Sequence, residues 1–332
     1  MQKKNPVKKE KKVKSFHEAW GAVYLNGEYI PAEEAKLSFN DLGFIKGDAV
    51  FDVCRTFHHK PYKLKEHIER LYKSLKYVRI DPGITPKEME RISLKVLEKN
   101  VHLLGENDDY WITQRVSRGV FPASFPLNLN HAPSPTVYVY CSPIPFDFAR
   151  LYKRGRKLVT VSIKHVPPEC VEPKVKHQSR LNFILAFHDA QQKDPQAWPL
   201  MFDLEGNIAE TWGANFFFVS KGKIMTSTRR VVLEGITRET IFELADELGI
   251  PVIEGNFTPY DVYNADEAFV TATSYEILPV SSLDGIKIGR EIPGPVTGRL
   301  IKALSEKVGM DIVEQAMSHL TDEERRKLDE RD

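Results

Sequence analysis

Apolar and polar positions recur along this chain in two periods, and the change of period separates strands from helices. Two short apolar runs, AVYL and EYIP, flank Asn26-Gly27, a strong hairpin-turn dipeptide. DAVFDVCRTF is β-branched and aromatic, which predicts a strand. Next, Leu64, Ile68, Leu71, Leu75 and Val78 recur at i, i+4, i+7, i+11 and i+14, one buried stripe of a helix. Thr85, Pro86 and Glu88 supply the N-cap, first helical position and N3 acid of a capping box. That helix is expected to run to about Leu104, before Gly105. YWITQRVS and TVYVYCSPI predict further strands, and the Pro-rich CSPIPFDF closes the first half.

The second half begins with a strand at KLVTVSI and an amphipathic helix at SRLNFILAFHDAQQ. PLMFDLEGN, IAETWGANFFFVS and KGKIMTS form a meander with turns at Glu-Gly-Asn and Lys-Gly-Lys. ITRETIFELADELGIPV is a helix closed by Gly249 and stopped by Pro251. EAFVTATSYEILPV predicts a strand, a tight turn and another strand. Mixed elements in two unequal blocks indicate an α/β or α+β protein of two domains. The expected divisions are a basic tail at 1–17, a domain at 18–142, a loop at 143–152, a second domain at 153–316 and a charged, frayed tail at 317–332.

Composition narrows the class. The 332 residues are 42% hydrophobic and 28% charged with a net charge of +1, an ordinary globular balance without a field to recruit nucleic acid or membrane. No apolar run is long enough to predict a membrane span. Cys54, Cys141 and Cys170 are odd in number and irregularly spaced, which suggests neither a disulfide framework nor a metal site and suits the cytoplasm. The lysine run before residue 15 has no apolar stretch behind it and is expected to be a solvated, disordered tail.

Four places could carry chemistry. The helix at Thr237 follows LEGI, so a glycine turn delivers free backbone N–H groups suited to phosphate. TATS is a turn of small hydroxyl residues. Glu210 stands among Ile208, Trp212 and Phe216, where a carboxylate needs a partner. Lys176 lies between the Pro-rich VPPECVEPK and a helix, a place from which a lysine can be aimed inward. Alone, each feature favours the plainer reading of capping, turn formation or a surface charge.

In order and spacing, however, PKVKHQSRLNFILAFHDA, GNIAETWGANFFFV, LEGITRETIFELADELGI and FVTATSYEILPVSSLDG resemble the signature segments of class IV aminotransferases, the branched-chain and D-amino-acid family. GDAVFDVCRTF and KLKEHIERLYKSL resemble its N-terminal domain, so the likeness spans roughly residues 18–315. It implies a D-amino-acid aminotransferase-like fold, with a smaller N-terminal α/β sandwich and a larger, barrel-like C-terminal α/β domain. It also implies pyridoxal 5′-phosphate as cofactor and a homodimer or higher oligomer with the site near the subunit interface. Lys176 is then the cofactor lysine, in preference to Lys174. Glu210 pairs with the pyridine nitrogen, and Arg70 grips the phosphate. Ile236 and Thr237 supply the phosphate-binding helix start, with Ala272 and Thr273 beside them, and Leu233 packs on the ring. Ser274 and Thr273 cradle the substrate carboxylate.

Departures from the family bear on substrate. Ala123 and Phe125 stand where D-amino-acid enzymes carry an arginine and a histidine, and Trp111 and Thr113 where branched-chain enzymes carry a tyrosine and an arginine. Phe51 matches the branched-chain pattern, and Arg55 or Arg115 could bind a carboxylate or equally well form a structural ion pair. Arg180 replaces a cofactor-touching tyrosine and brings SRL close to the NRL of aminodeoxychorismate lyases. The expectation is transamination between an L-branched-chain amino acid and 2-oxoglutarate; a D-amino-acid or (R)-amine transaminase and the lyase are the alternatives. No metal and no nucleic-acid partner are expected.

Overall fold

A computed structural model of the chain describes residues 20–121 and 134–329. The lysine tail, Ala123 and Phe125 lie outside those residues. The first half contains β1 (Ala22–Leu25), β2 (Glu28–Pro31), α1 (Leu42–Ile45), β3 (Ala49–Phe57), β4 (Lys60–Pro61), α2 (Leu64–Val78), α3 (Pro86–Asn100), β5 (Tyr110–Ser117) and β6 (Thr136–Pro143). The second contains α4 (Leu151–Arg154), β7 (Arg156–Thr160), α5 (Leu181–Lys193), β8 (Trp198–Phe202), β9 (Ile208–Thr211), β10 (Ala214–Ser220) and β11 (Lys223–Ser227). It continues with α6 (Ile236–Glu247), β12 (Val252–Gly255), α7 (Pro259–Tyr263), β13 (Glu267–Ala272), β14 (Glu276–Leu283), β15 (Ile286–Lys287), α8 (Pro295–Val308), α9 (Ile312–Met317) and α10 (Asp322–Asp329). No helix among the described residues is long and apolar enough to cross a membrane.

The N-terminal strands form one six-stranded antiparallel sheet in the order β2-β1-β6-β5-β3-β4. Strand alternation gives its faces different work. Val50 and Cys54 of β3, Ile112 and Val116 of β5 and Val139 and Cys141 of β6 share a core with the apolar stripes of two helices: Ile68, Leu71 and Leu75 of α2, and Met89, Ile92 and Val96 of α3. The opposite face carries Phe51, Arg55, Trp111, Arg115, Tyr138 and Tyr140, with Phe51 opposite Arg115 and Arg115 opposite Tyr138.

The C-terminal strands close on themselves. The order β10-β13-β14-β7-β8-β9 returns to β10 through the β9–β10 pairing, a six-strand barrel extended by β11 and β12. Its core holds Leu158, Leu200, Phe216, Phe217, Phe269 and Ile277. The architecture is thus a mixed α/β fold with an antiparallel sheet followed by a barrel, as expected. Two local readings change. The helix begun by the Thr85 capping box ends at Asn100, and its last turn tightens into a 3₁₀ turn at Val101–Leu103. The charged C-terminal segment is docked through α10, where Leu328 is buried and Arg325 Nε donates to the Met317 carbonyl at 2.8 Å.

Candidate active site

The site lies where the sheet's aromatic face meets the loops of the barrel. Lys176 is on the loop from β7 to α5, and its backbone is stitched to the first half. Phe51 N donates to the Lys176 carbonyl at 3.0 Å, and Lys176 N donates to Ser74 Oγ at 3.2 Å. Its side chain is half-buried, with Nζ 4.9 Å from the centre of the Phe51 ring. Loss of solvent, then the positive charges of Arg70 and Arg180, push this amine down to about 7, against the opposing pull of Asp52 and Glu210. Lys174 is exposed and lies 4.0 Å from both Glu172 and Glu234. Of the two lysines, only Lys176 faces inward.

Glu210, on β9, is buried and fully partnered. His165 Nε2 lies 3.0 Å from Oε1, while Asn215 Nδ2 and Leu233 N donate to Oε2 at 3.3 and 3.2 Å. Asn215 also donates to the Leu233 carbonyl at 2.9 Å, so Leu233 is fixed from both ends. Gly235, the N-cap of α6, sits so close to this group that a Cβ there would fall 2.3 Å from Asn215 Oδ1. Only glycine lets the chain turn into α6 at that point.

Arg70, on α2, reaches the same α6 start. Its Nε and Nη2 donate to the two Asp52 oxygens at 2.8 Å each, and Nη1 donates to the Glu234 carbonyl at 3.0 Å. A cleft of about 340 Å³ is lined by Arg70, Ser74, Val175, Glu234 and Ile236. Val175 also lines a smaller cavity with Lys176, Arg180, Asn182, Glu210 and Leu233. The Asn182 Nδ2 atom is buried there without a protein partner. Arg180 stacks over Phe183 at 3.9 Å; burial lowers its proton affinity, and Glu210 opposes that.

Other expected residues fall less simply. Thr237 donates its hydroxyl to Glu276 at 2.8 Å, leaving its backbone amide for any anion at the helix start. Ala272 and Thr273 are half-buried at the end of β13, and Ser274 follows in the turn to β14. Arg115 stacks over Phe51 at 4.7 Å and donates to Gln178 and, at 3.3 Å, to Tyr140. Trp111 packs against the barrel core with its indole nitrogen buried and unpartnered.

Arg55 is held by protein groups, which favours the structural one of its two readings. The residue is 2% exposed, and its guanidinium donates to the Thr56 carbonyl, the Ser274 carbonyl and Gln315 Oε1 at 3.2, 3.1 and 3.1 Å. It also stacks on Phe57 at 4.0 Å. These contacts make it a strut between sheet and barrel.

Several site residues escape the sequence pattern. Asp52 gives the same signal as Glu210, a carboxylate within an apolar strand, and His67 lies one helical turn before Arg70. His165, Asn215 and Gln178 carry no local signal, because their partners are distant in the chain.

The profile of the amino-transferase class IV family matches residues 49–283. The chain belongs to the class IV aminotransferases. It is 34% identical over 297 residues to a putative branched-chain-amino-acid aminotransferase of Methanocaldococcus jannaschii, covering 88% of this chain and 99% of that one. A D-alanine aminotransferase of Staphylococcus haemolyticus is 29% identical, over 86% of this chain and 97% of its own. Among solved structures, a T.th. branched-chain amino acid aminotransferase complexed with N-(5′-phosphopyridoxyl)-L-glutamate superposes with a TM-score of 0.78. It is 30% identical, over 87% of this chain and 95% of that one. This class IV aminotransferase is therefore similar to branched-chain and D-alanine enzymes alike.

Proposed function

We propose that this aminotransferase moves an amino group between an L-branched-chain amino acid and 2-oxoglutarate, with Lys176 as the residue that carries its coenzyme. The coenzyme of the class is pyridoxal 5′-phosphate, and the donor set fits it: an inward amine, a buried acid, and an arginine beside a helix start. When bound, the coenzyme supplies an aldehyde and a ring that accepts electrons from the substrate Cα. Arg70 and the Ile236 and Thr237 amides would hold its phosphate. Glu210 would keep the ring nitrogen protonated, Leu233 would pack on the ring, and Arg180, Ala272 and Thr273 would complete the pocket. Lys176, with a substantial neutral fraction near pH 7, is the amine that would hold the coenzyme aldehyde and would hold or release the proton at the substrate Cα.

The observation that carries this reading is the lowered proton affinity of Lys176 in a loop bonded to β3 and α2. Phe51, Trp111, Tyr138 and Tyr140 support an apolar side chain, and Arg115 supplies one cation for the carboxylate tail of 2-oxoglutarate. The Thr273 and Ser274 amides take the shared α-carboxylate. The three free thiols suit a reducing compartment such as the cytoplasm. A second copy of the chain would cover the exposed Phe39, Phe44, Leu181, Ile184 and Leu185, an apolar set on neighbouring segments.

Titrating the loaded enzyme with L- and D-amino acids, and following its absorption, tests the substrate. L-leucine should bleach the aldehyde band and 2-oxoglutarate should restore it. Bleaching by D-alanine or (R)-phenylethylamine alone would overturn the substrate, and bleaching that 2-oxoglutarate cannot reverse would favour a lyase.

A further inference from the structure

We propose that Asp52, backed by His67, is a positioning residue that presents Arg70 to the coenzyme phosphate. The inference rests on the coenzyme reading above. A guanidinium has five N–H donors fixed in one plane. Asp52 closes one edge by accepting from Nε and Nη2, and the Glu234 carbonyl accepts from Nη1. One N–H remains on each terminal nitrogen, and the plane that contains both is set by Asp52. Glu234 immediately precedes Gly235, the N-cap of α6, so the same contacts tie Arg70 to the helix start. Arginine and helix amides are thereby assembled before any phosphate arrives.

The strand pattern explains how Asp52 reaches this place. It lies on the helix-facing side of β3, opposite in direction to Phe51, and meets α2 rather than the aromatic face. It is fully buried. Burial pushes its carboxyl up, but Arg70 and His67 override this and hold it well below the usual carboxylate range. His67 is buried as well, with Nδ1 2.7 Å from Asp52 Oδ1. Because the carboxylate accepts, Nδ1 carries the proton of that bond. Losing Asp52 would leave Arg70 an unpaired cation free to turn, so that its two remaining donors no longer share a fixed direction.

A residue that merely stabilises the fold would affect every ligand alike, whereas one that aims Arg70 affects only ligands with a phosphate. Apoenzymes of wild type, Asp52→Asn, Asp52→Glu and His67→Gln are titrated with pyridoxal 5′-phosphate and with pyridoxal, following absorbance, and their melting is recorded. Asp52→Asn should weaken phosphate-coenzyme affinity by about 30-fold or more and leave pyridoxal affinity nearly unchanged. Asp52→Glu should recover part of the loss. Unchanged phosphate-coenzyme affinity in Asp52→Asn, or an equal loss for both ligands, would overturn the proposal. Should Asp52→Asn not fold, His67→Gln decides: weaker competition by inorganic phosphate supports the role, and unaltered competition overturns it. A wild-type chain that takes up no coenzyme would instead overturn the underlying reading.

Discussion

Lys176 and Lys174 are two residues apart, and solvent is what distinguishes them. With its amine pushed down to about 7, Lys176 becomes the attacking neutral form as pH rises through that value. Coenzyme capture by the apoenzyme, followed by stopped-flow absorbance, should accelerate through about pH 7 and then level. A rate still climbing toward 10.5, the ordinary lysine value, would contradict the lowered amine. The stability linkage has a definite sign. Between about 7 and 10.5 the unfolded chain binds the extra proton, so apoenzyme stability gains from rising pH in that window, and Lys176→Met should lose this contribution. Glu210→Gln should keep coenzyme yet slow the half-reaction on the order of a hundredfold, as measured by single-turnover absorbance. Arg115→Ala should raise the KM for 2-oxoglutarate more than that for leucine; an equal rise would place it on the shared carboxylate. Lys176, Glu210 and Arg70 are legible as a set because family wording joins them. Alternation puts Arg55 on one face with Phe51 and leaves both of its readings open, because the pattern cannot show which end of that face is sealed by the barrel.

At the scale of elements, legibility follows local chemistry. The Thr85–Glu88 capping box is present in both directions, with Thr85 N donating to Glu88 at 2.8 Å and Glu88 N to Thr85 Oγ1 at 3.2 Å. Thr85→Ala should cost about 1 kcal/mol, visible as a small fall in Tm. No pattern assigns α8, whose Leu300, Ile301 and Leu304 are buried at helical spacing, because its start in EIPGPVTG is dense in glycine and proline and has the look of a loop. Arg55 joins elements, linking β3 to the Ser274 turn and to Gln315. Arg55→Ala leaves the Ser274 carbonyl and the buried Gln315 Oε1 without this donor, and should cost about 1–3 kcal/mol by denaturant unfolding. Normal stability with a selective 2-oxoglutarate defect would return Arg55 to the substrate.

Across the whole molecule, the proposed site forms where two separately built cores meet. The sheet contributes Phe51, Arg115 and, through α2, Arg70; the barrel contributes Lys176, Glu210 and the α6 start. Sequence periodicity reveals both blocks, but the barrel's closure depends on the β9–β10 pairing, which periodicity does not specify. The exposed apolar set on α5 and near α1 should bind a second copy, and Leu185→Glu should shift the sedimenting species toward monomer. The central claim is the coenzyme lysine, and borohydride reduction of the loaded enzyme followed by peptide mapping tests it most directly. The reduced coenzyme should be found on Lys176, and Lys176→Ala should yield no adduct. An adduct on Lys174, or none on the wild-type chain, would contradict the account.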